Sequence, residues 1–150
     1  MTYTNFGYCG LAAIGIGIQG FWDSIQTVYL REEIGLPYPD DGNGRIGTKL
    51  SDGDWRRFAS YKTVQNLSMD YLPVTTICLL IGGIHYPLIS SAFGAIYITG
   101  RHIFSSGYRK SGPEGRYTGN AILKAGLVGL FMASTLSCLK MLDVVDLQGY

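Results

Sequence analysis

Four long apolar segments, at roughly residues 6–30, 55–84, 87–108 and 119–142, constrain this chain more than any other feature, because together they leave little of it outside them. A helix needs about 20 mostly apolar residues to cross the hydrocarbon core of a bilayer. Each segment meets that length once polar residues are allowed to face a bundle interior. The last, GNAILKAGLVGLFMASTLSCLKML, is interrupted near one end by Lys124, whose long stem reaches the interface. The 47% hydrophobic and 15% charged content fits a membrane protein better than a water-soluble one. The expected fold is all-α, a bundle of four transmembrane helices forming a single domain over residues 1–150.

Charge and cysteine usage remove several function classes. A net charge of +1, with basic residues clustered in connecting segments, offers no stripe for a phosphate backbone, so nucleic acid is not an expected partner. Cys9, Cys78 and Cys138 are far apart in apolar stretches and read as buried inert thiols. His85 and His102 are isolated, so no metal is expected, and Trp22, Trp55 and the tyrosines read as interfacial anchors. The first residues match neither a secretory signal nor a mitochondrial presequence, so targeting information is expected within the helices.

Eight of the twelve Lys and Arg residues lie at the first or third connection: Arg31, Arg45, Lys49, Arg56, Arg57, Arg109, Lys110 and Arg116. The positive-inside rule assigns those connections to the cytosol, or to the matrix of a mitochondrion. The expected location is an organellar membrane, either the mitochondrial inner membrane or the endoplasmic reticulum. The first loop, EEIGLPYPDDGNGRIGTKLSDGD, is dense in turn formers and reads as a surface connection. Small residues four apart, at Ala121, Ala125, Gly129, Ala133 and Ser137 and again at Cys9, Ala13 and Gly17, predict close helix packing.

The second span carries the unusual chemistry. In YKTVQNLSMDYLP, residues 61–73, Lys62, Asn66 and Asp70 recur every four positions with Gln65 beside them, giving one polar helical face, and Pro73 loosens the turn around Met69. The third span adds Tyr97, Arg101, Phe104 and Tyr108, with Arg101 the obvious charge partner for an intramembrane carboxylate. Two facing stripes of this kind make either a structural ion-pair network or a ligand crevice, and residue chemistry favours neither.

The run FASYKTVQNLSMDYLP, followed by LIGGIHYPLISSAFGAIYITGRHIFSSGY, resembles the membrane-associated eicosanoid and glutathione metabolism (MAPEG) family. It is most similar to the type three microsomal glutathione transferase branch. Arg31 with the Tyr38–Pro39 pair and the later GYRKSGPEGR extend the likeness over nearly the whole chain. The resemblance implies four-helix subunits that form homotrimers, bind glutathione between neighbours and meet a lipophilic substrate at the bilayer. It implies that Arg31 and Arg116 are the catalytic, thiol-activating arginines, and that Gln65, Asp70, Tyr71, Arg101 and Tyr108 hold the cofactor.

Against that pattern, Thr63 stands where an arginine is expected, Leu67 where an asparagine is, Phe104 where a tyrosine is, and Asp70 is one methylene short of the usual glutamate. Thr63 with Asp70 resembles a lipid-binding member that transfers no glutathione. The favoured expectation is therefore a lipid-binding or accessory subunit of a larger membrane complex, its glutathione site degraded. Its expected partners are membrane lipids and other subunits. The alternative is an active glutathione transferase or peroxidase acting on lipophilic electrophiles or lipid hydroperoxides.

Overall fold

The computed structural model describes residues 3–142, and there the chain forms four α-helices: α1 (Tyr3–Glu33), α2 (Asp52–His85), α3 (Pro87–Ser111) and α4 (Tyr117–Met141). A short 3₁₀ turn, Gly47–Lys49, lies in the first loop, and a second, Gly112–Arg116, carries α3 into α4. The sequence ends in a short acidic tail beyond Lys140, which from residue 143 lies outside the described residues. Local chemistry sets the helix ends. Ser51 caps α2 by accepting from the Asp54 amide, with Asp52 and Asp54 in the positively polarised first turn. Pro87 opens α3, where its missing N–H costs nothing.

Polarity is distributed inside out. Asp23, Thr75, Ser90 and Ser137 are fully buried, while Leu11, Ile14, Ile18 and Phe21 line the outer face of α1 at 60–66% exposure. Water would penalise that arrangement, whereas lipid on the outside rewards it. Residues 52–85 and the continuous stretch 87–141 are long and apolar enough to cross a membrane. In α1, glycines, Gln19 and Asp23 dilute the apolar content.

Helices α3 and α4 pack backbone against backbone. A Cβ at Gly119 would fall 2.2 Å from the Phe104 nitrogen, and one at Gly126 would fall 2.7 Å from that of Tyr97. The predicted small-residue stripe of α4 is only half right: Gly129, Ala133 and Ser137 are buried, but Ala121 and Ala125 face outward. A four-residue repeat drifts around a 3.6-residue helix, so over five members the stripe leaves the contact. The cysteines divide as well. Cys9 is buried and donates to the Pro87 carbonyl, Cys78 is half-buried, and Cys138 is exposed on α4, contrary to the expectation of three buried thiols.

Candidate functional site

The polar centre of the bundle is organised by a residue that sequence reasoning passed over. Asp23 of α1 is fully buried and accepts hydrogen bonds from the Ser68 hydroxyl, from Ser105 Oγ at 3.1 Å and from Gln19 Nε2 at 3.3 Å. Its ion-pair partners are Arg109, in direct contact, and Arg101, whose Nε lies 3.9 Å away. Arg101, 3% exposed, also donates to the Val64 carbonyl at 2.9 Å and to Ser68 Oγ. Two guanidinium groups and two hydroxyls thus converge on one carboxylate, the hydrogen-bonded condition under which a charge is tolerable away from water.

Of the two readings left open for the facing stripes, an ion-pair network joining Asp70 to Arg101 or Lys62 does not form among the described residues. Asp70 and Asn66 are exposed on the outer side of α2, and Asp70 makes no ion pair among the described residues. Lys62 turns instead to Asp41, at 3.1 Å. Residues two apart on a helix point about 200° from each other. The inward side of α2 is therefore Val64 and Ser68, and the stripe Lys62–Asn66–Asp70 is on the far side. The third-span stripe does face inward, with Tyr97, Arg101, Phe104 and Tyr108 all buried, so the two stripes do not meet within the chain. A signal for Asp23 was present: Gln19, Asp23, Thr27 and Arg31 recur every four residues along α1, and the last three are buried.

Arg31 is engaged in holding the first loop. It donates to the Pro37 carbonyl and Asp41 Oδ1, each at 3.3 Å, and to the Asp40 carbonyl, while its guanidinium lies 4.0 Å over the Tyr38 ring. Around it the loop closes on Asp40, whose carboxylate accepts from the amides of Gly42, Gly44, Ile46 and Gly47 at 2.8–2.9 Å. Those donors, Gly47 foremost, lower its pKa to about 2 against the opposing effect of desolvation. Lys62 and then Arg31 lower that of Asp41. Gly42 has φ +90, which only glycine adopts readily, and a Cβ at Gly47 would fall 2.5 Å from the Gly42 backbone. The first loop is thus a built structure, where only a plain connection was expected.

Between the start of α2 and the end of α3 lies an open crevice of about 680 Å³. Trp55, Thr63, Tyr108 and four cations, Arg56, Arg57, Arg109 and Lys110, line it, without a carboxylate among them. Arg57 is held by Glu33 through two hydrogen bonds and Arg109 by Asp23, whereas Arg56 and Lys110 make no ion pair among the described residues.

An all-α, inside-out bundle with a cationic crevice at one end narrows the possibilities, and a family model decides among them: that of the MAPEG family matches residues 9–136. The chain belongs to the MAPEG family. No curated protein matches it. The matched region takes in Asp23 and each predicted site residue from Arg31 to Arg116.

Within this MAPEG chain those residues are dispersed. Tyr108 lines the crevice, with Arg101 buried in the bundle beneath it. Arg31 borders a separate cavity of about 380 Å³ with Val28, Leu36 and Tyr38. Gln65 and Tyr71 are half-buried on α2, and Arg116 is exposed at the start of α4, its guanidinium 5.9 Å from the Tyr117 ring.

Proposed function

We propose that this MAPEG membrane protein is a lipid-binding, accessory subunit of a larger membrane assembly and that its glutathione site is no longer competent. The observation carrying this reading is the trio Thr63, Leu67 and Phe104, which removes an arginine, an amide and a phenol from positions where the family resemblance expects clamps for the tripeptide. An unpaired ligand carboxylate in such a crevice costs on the order of 3–5 kcal/mol, several hundredfold or more in affinity. Lys62 does not replace the arginine, since it is turned about 100° from Thr63 and already bound to Asp41. Arg31, proposed by resemblance for thiol activation, is occupied by loop carbonyls and Asp41.

The outward stripe Asn66–Asp70 supports enclosure. A carboxylate facing bare hydrocarbon is costly, so a neighbouring subunit or a water-filled crevice covers it. The neighbours are other subunits of a membrane complex, a homotrimer of like chains belonging to the alternative below, and the membrane is the mitochondrial inner membrane or the endoplasmic reticulum, with the first and third loops on the matrix or cytosolic side. Intact-complex mass measurement from the native membrane tests the reading: co-migration with a large assembly is expected, and a free trimer of like chains contradicts it.

The cationic lining and Tyr108 favour one alternative, an active glutathione transferase or peroxidase on lipophilic electrophiles or lipid hydroperoxides, with Arg116 at the sulfur and Gln65, Asp70, Tyr71 and Arg101 holding the cofactor. In that case Arg116→Ala abolishes turnover of a generic electrophile. The accessory reading expects no turnover to abolish.

A further inference from the structure

We infer that the crevice between the start of α2 and the end of α3 binds the phosphate headgroup of an anionic phospholipid, its acyl chains leaving toward the bilayer along α2. This rests on the reading that the glutathione clamps are lost, and it names the lipid class.

The rim and the floor of the crevice differ in character. At the rim, four cations and no carboxylate surround the opening, and Arg56 and Lys110 are exposed and free of any intrachain ion pair among the described residues. Such a set demands an anion, and phosphate satisfies both a forked guanidinium and an ammonium. Trp55, with its indole N–H given to the Gly42 carbonyl at 3.1 Å and the residue 43% exposed, has the amphipathic character of a side chain at headgroup depth.

One turn deeper the α2 side becomes apolar at the half-buried Leu67, while on the α3 side Phe104 is buried in the core. Leu67 lies four residues below Thr63 on α2, and Phe104 lies four below Tyr108 on α3 with its ring 5.6 Å from the Tyr108 ring. Leu67 is half-buried and packs on the core, leaving part of its surface to an acyl chain. Leu67, one of the replacements that disfavour a tripeptide, thus sets a part-exposed apolar side chain below the cationic rim, which suits an amphiphile. Glutathione also carries an ammonium, and nothing in the lining is acidic enough to receive it. A space of about 680 Å³ is far more than a lone inorganic phosphate fills. Basic pockets beside transmembrane helices recognise anionic headgroups through this combination.

The test uses the full chain, purified in detergent and exchanged into micelles holding equal amounts of dioleoylphosphatidylglycerol and dioleoylphosphatidylcholine, with retained lipid read by native mass spectrometry. The wild type is expected to retain phosphatidylglycerol over phosphatidylcholine. The double variant Arg56→Gln/Lys110→Gln should weaken that retention about 25-fold, each juxtamembrane charge contributing a factor of about five. The control Arg45→Gln/Lys49→Gln, which removes the same charge from the first loop outside the crevice, should retain it. Equal retention of the two lipids, no loss in the crevice variant, or equal loss in the control overturns the proposal. Displacement by millimolar inorganic phosphate overturns it too, by making free phosphate the ligand. Failure in any of these ways without glutathione binding leaves the accessory reading standing, whereas saturable displacement by glutathione removes both.

Discussion

Asp23 separates a charge that holds the bundle together from one that faces out of it. Replacing Asp23 by Asn leaves the buried Arg101 and the half-buried Arg109 without a counter-charge, so a destabilisation of about 3–5 kcal/mol is expected in chemical unfolding of the detergent-solubilised protein. Asp70→Asn, on the outer face, should shift the same curve by less than about 0.5 kcal/mol. Equal effects would mean that the carboxylate roles are wrongly assigned. Asp40 gives a pH dependence whose sign is fixed by its lowered pKa of about 2. The folded value lies below the ordinary one of about 3.9, so its contribution to loop order is complete above about pH 4 and is lost as pH falls through about 2. Trp55 reports on this through its bond to Gly42. In a Trp22→Phe background its emission should hold steady down to about pH 4 and change below it, and Asp40→Asn should show the low-pH emission at neutral pH. Asp23 leaves a four-residue polar repeat along α1, outweighed by the denser polar face of the second span. Asp40 leaves no sequence signal, because its four donors are backbone amides that make no pattern in residue type.

At the level of the helices, apolar length carried most of the information. The four segments and the proline-marked turn near His85 were readable because a bilayer imposes a minimum run and proline a boundary. Which face of each helix turns inward was less readable. On α2 both Lys62–Asn66–Asp70 and the side of Ser68 and Thr75 carry polar groups, so periodicity alone leaves the choice open, and contact with Asp23 and Arg101 decides it. On α4 the packing relies on Gly119 and Gly126, which lie off the predicted stripe. Gly119→Ala should therefore destabilise by about 1–3 kcal/mol through overpacking against the α3 backbone. Gly10→Ala in α1, where a Cβ meets nothing within 4 Å, should be neutral or stabilising by up to about 1 kcal/mol. The two are compared by thermal unfolding in one detergent, and a Gly119→Ala protein as stable as the parent would contradict the close α3–α4 contact.

For the molecule as a whole, an all-α membrane bundle was legible in the sequence, and the family match over residues 9–136 agrees with it. The candidate site was legible only in its residue types, because its members lie on different helices and different faces: Arg31 in one cavity, Tyr108 in another, Asp70 on the outer surface. A single chain spreads these groups out, so any ligand using all of them is held between chains or not at all. That Thr63, Leu67 and Phe104 stand where clamps for the tripeptide are expected is the central claim, and calorimetric titration of glutathione into the purified protein tests it most directly. No saturable heat is expected up to millimolar tripeptide, and no thiolate absorbance should develop. Saturation in the micromolar range accompanied by thiolate formation would contradict the account.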